Sequence, residues 1–259
     1  MQRVVCDMSN VDNYDVLEIV PLADIHLGDP ETQMSIITTE IEKIKSKPNR
    51  YCILAGDLMN TAIKTSISDT YGETLSPQQQ LDKCIELFEP IKDKILCIVT
   101  GNHEERISKL AGVNMIRVFA KQLGLEKVYS DTSVVCFVRF GENKRHKKRS
   151  HVYSIYVNHG SGGGRKAGSK ISRLEDYSRI VCCDAYVVGH THFPATFKTC
   201  TYVTNNGNMT LSKIEQTFVN TAACLEYGGY GDRQGYTPAS NAYPVLQLHA
   251  KEKRIGVTL

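Results

Sequence analysis

ILCIVTGNHEER, residues 95 to 106, decides the fold. Its first five residues, Ile95–Val99, have the length and β-branched content of a buried strand. Thr100 and Gly101 end the run, and the chain turns at once into Asn102, His103 and Glu104, side chains able to bind a metal or a substrate. The same grammar recurs along the chain. Asp15–Leu22 runs into ADIHLG, Tyr51–Leu54 into AGDLMN, His151–Val157 into NHGSGGG, and Ala185–Val188 into GHTHFP.

Helical patterns separate these runs. Glu31–Ser46 spaces Met34, Ile37, Ile41 and Ile44 for one helix face, and Gln78–Phe88 does so with Leu81, Cys84, Ile85 and Phe88. Glu105–Leu123, with Ile107, Leu110, Val113, Ile116 and Phe119 or Ala120, reads as one longer helix. Alternating strands and helices predict an α/β protein. The later half is richer in strands, at Ser133–Phe140, His151–Val157, Thr217–Leu225, Val245–His249 and Arg254–Thr258. That bias predicts a second, partly antiparallel sheet, hence two packed, mostly mixed sheets flanked by helices. No linker, internal repeat or low-complexity tract divides the chain, so residues 1–259 are expected to form a single domain.

Composition removes several functional classes. With 41% hydrophobic and 23% charged residues the chain is ordinary for a globular protein, and a net charge of +3 does not announce a nucleic-acid binder. At 259 residues it can bury a core without metal or disulfide staples, which leaves any metal free for chemistry. The nine cysteines form no CxxC pair; Cys52, Cys97 and Cys136 sit in apolar runs and read as reduced packing residues. No stretch has signal-peptide character or the roughly 20 apolar residues of a membrane span, so a cytoplasmic location away from membranes is expected.

Open α/β sheets gather ligands beyond the carboxyl ends of their strands. Here five strand ends carry DIH, GD, GNHE, NHG and GHTH, and five of the eight histidines (His26, His103, His159, His190 and His192) lie in them. One such histidine is usually structural; five beside Asp, Asn or Gly point to a shared metal centre. Mixed carboxylate and imidazole donors suit Mn, Fe, Zn or Ni, with manganese the expected ion. Two ions held close together need a common carboxylate, and Asp57 fits that role because Gly56 leaves room at a crowded strand end.

DIH at 24–26, GDLMN at 56–60, GNHE at 101–104, NHG at 158–160 and GHTH at 189–192 resemble, in order, the motifs of the calcineurin-like metallophosphoesterase family. The resemblance spans most of the chain, and it extends to metallophosphoesterases encoded by bacteriophages and prophages. It implies the family's α/β/β/α sandwich and a dinuclear centre that hydrolyses phosphate esters. Asp24, His26 and His192 would bind one divalent ion and Asn102, His159 and His190 the other, with Asp57 bridging. His103 would be catalytic, outside the metal shell, protonating the leaving oxygen. Glu104 would either orient His103 or be a surface acid at a helix start. Two features depart from common family patterns. Phe193–Leu259 is too short for a large capping domain, and Glu104 stands where Asp is frequent.

Three further stretches bear on the substrate. Gly160–Lys170 (GSGGGRKAGSK) lacks the Gly-Lys-Ser/Thr of a P-loop; as a mobile lip it would bring Arg165 and Lys166 to phosphate oxygens. Glu226–Ala242 interleaves Tyr227, Tyr230, Tyr236 and Arg233 with glycines, a pattern that suits base stacking or packing. Asn143–Ser150 (NKRHKKRS) is a charged hairpin tip or a contact for a phosphate backbone. The expected activity is that of a phosphodiesterase or nuclease acting on nucleic acid or a nucleotide. The alternatives are a phosphomonoesterase and a non-catalytic scaffold of the same fold.

Overall fold

The computed structural model describes residues 1–11, 13–64, 66, 70–143 and 149–259. Most of the charged run therefore lies outside the described residues. In chain order the elements are β1 (Gln2–Asp7), β2 (Val16–Leu22), α1 (Met34–Ser46), β3 (Arg50–Leu54), α2 (Pro77–Phe88), β4 (Ile95–Val99), α3 (Asn102–Ala111) and α4 (Met115–Gln122). Then follow β5 (Tyr129–Ser130), β6 (Ser133–Asn143), β7 (Arg149–Asn158), α5 (Ala167–Asp176), β8 (Ala185–Val188), β9 (Ala195–Asn205), β10 (Thr210–Asn220), α6 (Gly229–Arg233), β11 (Val245–His249) and β12 (Ile255–Thr258).

Among the described residues the strands form two six-stranded mixed sheets, ordered β12-β11-β2-β3-β4-β5 and β1-β6-β7-β8-β10-β9. Their inner faces meet in one apolar layer, where Leu17, Ile19, Ile53 and Val99 face Val134, Cys136, Tyr153 and Val157. The outer face of the first sheet is covered by Ile37, Ile41, Leu81, Phe88, Ile116 and Phe119 of α1, α2 and α4. Leu174 of α5 joins Tyr156, Tyr186 and Phe218 on the outer face of the second. The α/β/β/α sandwich expected from the sequence is the observed fold. Cys52, Cys97 and Cys136 are buried free thiols, as read.

The details differ in four places. The helix expected over Glu105–Leu123 is two helices: Gly112 takes a left-handed conformation (φ 69°) that closes α3, and Asn114 caps α4 by accepting from Arg117 N at 2.8 Å. α1 begins at Met34 rather than Glu31 because residues 29–33 form a turn, with Asp29 Oδ1 accepting from Glu31 N and Thr32 bridged to Leu225. The strand expected at Thr217–Leu225 is instead Thr210–Asn220; it pairs with β9, and residues 221–225 leave the sheet to cross the site. The terminal pair β11–β12 joins the first sheet, through antiparallel pairing of β11 with β2, and β1 enters the second.

Register then places the site. Leu22 lies beside Leu54 and Leu54 beside Ile98, so β2, β3 and β4 end together. Asn158, Val188 and Asn220 align in the same way at the ends of β7, β8 and β10.

Candidate metal centre

Asp24 and His26 follow β2, Asp57 follows β3, Asn102 and His103 open α3 after β4, His159 follows β7, and His190 and His192 follow β8. All converge. Three groups each bring their ligand atoms within 4.8 Å of one another: Asp24 with His26 and His192, Asp57 with His159 and His190, and His26 with Asp57 and His103. Asp57 belongs to two of them. Its Oδ2 lies 3.1 Å from His159 Nε2, 3.7 Å from His103 Nε2 and 4.0 Å from His26 Nε2. Asp24 Oδ1 lies 3.4 Å from His192 Nε2, and Asn102 Oδ1 accepts from His159 Nε2 (3.0 Å) and His190 Nδ1 (2.7 Å).

The backbone is bent to make this convergence. Asp24, His26, Asp57, His190 and His192 all have positive φ, between 50° and 69°. A non-glycine residue pays on the order of 1–3 kcal/mol for such a conformation, which concentrates at functional sites. Other contacts hold the turns in place. Asp24 accepts from His190 N and Thr221 Oγ1, and the chain crossing from β10 donates Cys224 N to Asp24 O. A Cβ at Gly56 would sit 2.6 Å from Gly101 N, and one at Gly101 would overlap Asp57 Oδ1. The room that the sequence assigned to Gly56 is thus shared with Gly101.

Burial and charge set the protonation states of the protein's own groups. Asp24, His26, Asp57 and His159 are buried. Burial works against the Asp57 carboxylate, but the imidazoles of His159, His103 and His26 outweigh it and hold its pKa well below the usual range. Burial lowers the pKa of His26 and His190, each further opposed by neighbouring imidazoles. His103 is pushed down to about 4 by burial, against the pull of Asp57, with Arg106 adding to the decrease. His159 goes the other way: the Asp57 carboxylate overcomes desolvation and raises it.

The donor set fits divalent metal ions. His26 Nε2 and His192 Nε2 face each other at 3.1 Å, His26 Nδ1 is buried without a hydrogen-bond partner, and carboxylate and amide oxygens close the same space. Ring nitrogens and oxygens that converge in this way suit a borderline cation.

Glu104 is the acid at a helix start that one reading gave, capping the first turn of α3, but it is not at the surface and has no hydrogen bond to the His103 ring among the described residues. It is fully buried; Oε2 accepts from Asp57 N (3.2 Å) and Gly101 N (3.0 Å), and Oε1 accepts from Met59 N (2.9 Å). Burial and Asp57 push its pKa up, while the backbone donors pull it back. It fastens the two loops that carry Asp57 and Asn102. His103 is oriented instead by the carbonyl of Asn60, 3.0 Å from Nδ1, and Asn60 is itself held by Asp29 and Glu73. Arg165 and Lys166 are exposed on the segment leading into α5, whereas Lys170, half-buried one turn further on, reaches the loop between His190 and His192. Only the tertiary contacts reveal Asn60, Thr221 and Lys170.

A family profile described as calcineurin-like phosphoesterase matches residues 17–194, so the chain belongs to the calcineurin-like phosphoesterase family. A search of curated proteins finds no match. Among solved structures, the chain is similar to vacuolar protein sorting 29 from Cryptosporidium parvum, with a TM-score of 0.40 and 15% identity over 95% of this chain and 97% of that one. A predicted phosphoesterase from Streptococcus pneumoniae aligns at a TM-score of 0.38 and 12% identity, over 94% and 90%. The Pseudomonas putida nuclease MPE aligns at 0.36 and 15%, over 93% and 87%. No helix among the described residues is long and apolar enough to cross a membrane.

Proposed function

We propose that this chain is a metal-dependent phosphoesterase with a dinuclear centre, acting as a phosphodiesterase or nuclease. The observation that carries the reading is the pair of donor groups, Asp24–His26–His192 and Asp57–His159–His190, joined through Asp57. Asp24, His26 and His192 would hold one ion and Asn102, His159 and His190 the other, with Asp57 shared between them; manganese is the proposed ion. Bound there, two divalent ions supply Lewis-acid polarisation of the phosphoryl oxygens and an acidified water.

The remaining work falls to the chain. Asn60 O accepts from His103 Nδ1, so Nε2 is the atom left to face a bound phosphate. The neutral ring would first take a proton at Nε2, which the negative charge of a bound ester favours, and then pass it to the leaving oxygen. Glu104 and Thr221 keep Asp57 and Asp24 from swinging away. Arg165 and Lys166, both exposed, are placed to meet the substrate as it arrives.

Metal analysis and a comparison of bis-p-nitrophenyl phosphate with p-nitrophenyl phosphate, under manganese and after chelation, test the proposal. It expects manganese-dependent turnover, faster on the diester. Preference for the monoester would reassign the activity to a phosphomonoesterase. Metal binding without turnover of either ester would leave a scaffold of the same fold.

A further inference from the structure

The rim of the site holds a cation that no carboxylate neutralises among the described residues. Lys170 lies in the first turn of α5, half-buried, and its Nζ donates to the Thr191 carbonyl at 2.9 Å while lying 5.2 Å from the centre of the Phe193 ring. Thr191 sits between His190 and His192, and Phe193 follows directly. From the opposite side Asn220 Nδ2 donates to Thr191 Oγ1 (2.5 Å) and Phe193 O (2.6 Å). The loop carrying two candidate ligands is thus clamped between the end of β10 and Lys170, and the half-exposed Phe193 ring is held beside it.

Several other lysines meet carboxylates. At the far end of the sandwich Lys198 meets Glu215, Lys251 meets Asp15 and Lys253 meets Asp184, at 2.6–2.7 Å. Lys170 makes no such pair among the described residues, and burial alone acts on its pKa, lowering it. An ammonium group carries three donors, and Thr191 O takes one. A partly desolvated cation with donors to spare, beside a centre suited to anionic esters, is placed to meet an anion.

We propose that Lys170 and Phe193 form a substrate subsite beside the metal centre, with Lys170 donating to a non-bridging phosphate oxygen and the Phe193 ring stacking on a nucleobase. The preferred substrate is then a nucleotide-containing phosphodiester. The subsite deepens the phosphoesterase reading and rests on it for the chemistry, but not for the binding.

Equilibrium binding of thymidine 5′-monophosphate and of deoxyribose 5-phosphate, which lacks the base, is measured by calorimetry on the metal-loaded protein and its variants. Lys170→Met should weaken both ligands about tenfold or more, the loss of a charge-assisted hydrogen bond, and Lys170→Arg should restore much of it. Phe193→Leu should weaken only the nucleotide, by about fivefold or more. On thymidine 5′-p-nitrophenyl phosphate, Lys170→Met should raise KM by a larger factor than it lowers kcat, and Lys170→Arg should restore KM; a role in holding the loop alone would lower metal content and kcat on every ester and leave KM unmoved. Unchanged nucleotide affinity in Lys170→Met, equal losses for both ligands in Phe193→Leu, or no nucleotide binding by the wild type would overturn the subsite. Nucleotide binding through both residues without hydrolysis of any ester would instead overturn the phosphoesterase reading and leave the subsite standing.

Discussion

Replacing Glu104 by alanine should be among the most damaging single changes in the protein, although the side chain touches neither metal nor substrate in our assignment. The carboxylate accepts three backbone N–H groups, from Asp57, Met59 and Gly101, and is fully buried. Each buried donor left unsatisfied costs about 1–3 kcal/mol. Water admitted to the vacated space recovers part of that, so the net loss should fall near ~3–5 kcal/mol. For a chain of this size each kcal/mol moves the melting temperature by about 2–4 °C, which gives a decrease of about 6–20 °C. One opposing effect is visible: Asp57 and Glu104 are two buried acids that raise the cost of each other's charge. Glu104→Gln separates the two contributions. It removes the charge but turns an amide N–H toward one backbone donor, so it should lose about 1–3 kcal/mol. Thermal unfolding followed by circular dichroism, on chelated protein so that metal does not mask the effect, reads both variants. A Glu104→Ala midpoint within about 2 °C of wild type, or a Glu104→Gln variant more stable than wild type, would refute the reasoning.

Three more outcomes are expected. His103→Ala should keep metal and fold yet lower kcat by on the order of 10²–10⁴ on esters with poor leaving groups, and less on p-nitrophenyl esters, which need little protonation; loss of metal would make His103 a ligand. Asp57→Ala should lose both ions by metal analysis, with Asp57→Asn as the variant that keeps an oxygen for His103 N, 2.9 Å away; full occupancy in both would remove Asp57 from the bridge. Metal uptake should release about one proton near neutral pH, because Asp57 raises the pKa of His159 and keeps it protonated in the chelated protein. The sign follows: protons compete for His159 at low pH, so affinity should rise about tenfold per pH unit until the raised pKa is passed. Calorimetry in buffers of different ionisation enthalpy counts the proton, and a count of zero contradicts the assignment.

The sequence determined the layers and the contents of the site. Apolar runs of strand length ending in DIH, GD, GNHE, NHG and GHTH encode both a buried strand and a candidate ligand at its carboxyl end, and both signals are local. Periodicity likewise located α1, α2 and the buried face of α4, but Leu110 and Val113, read as part of the same apolar face, are exposed, and the break at Gly112 was lost because helical spacing continues across it. The β9–β10 hairpin escaped because its outer half is exposed on both faces and carries no alternation to read. What only the tertiary structure decided depends on long-range contact. Glu104 reads as the first acid of a helix until its partners, up to 47 residues away, prove to be backbone N–H groups in another loop. Asn60 orients His103 with a main-chain carbonyl, an atom every residue possesses, so no side-chain pattern could announce it. Lys170 differs from Arg165 and Lys166 only in where α5 points it, across to the loop that joins His190 to His192. The candidate donors are written in residue types, but the groups that hold them are chosen by distance, and distance is set only once the two sheets have packed.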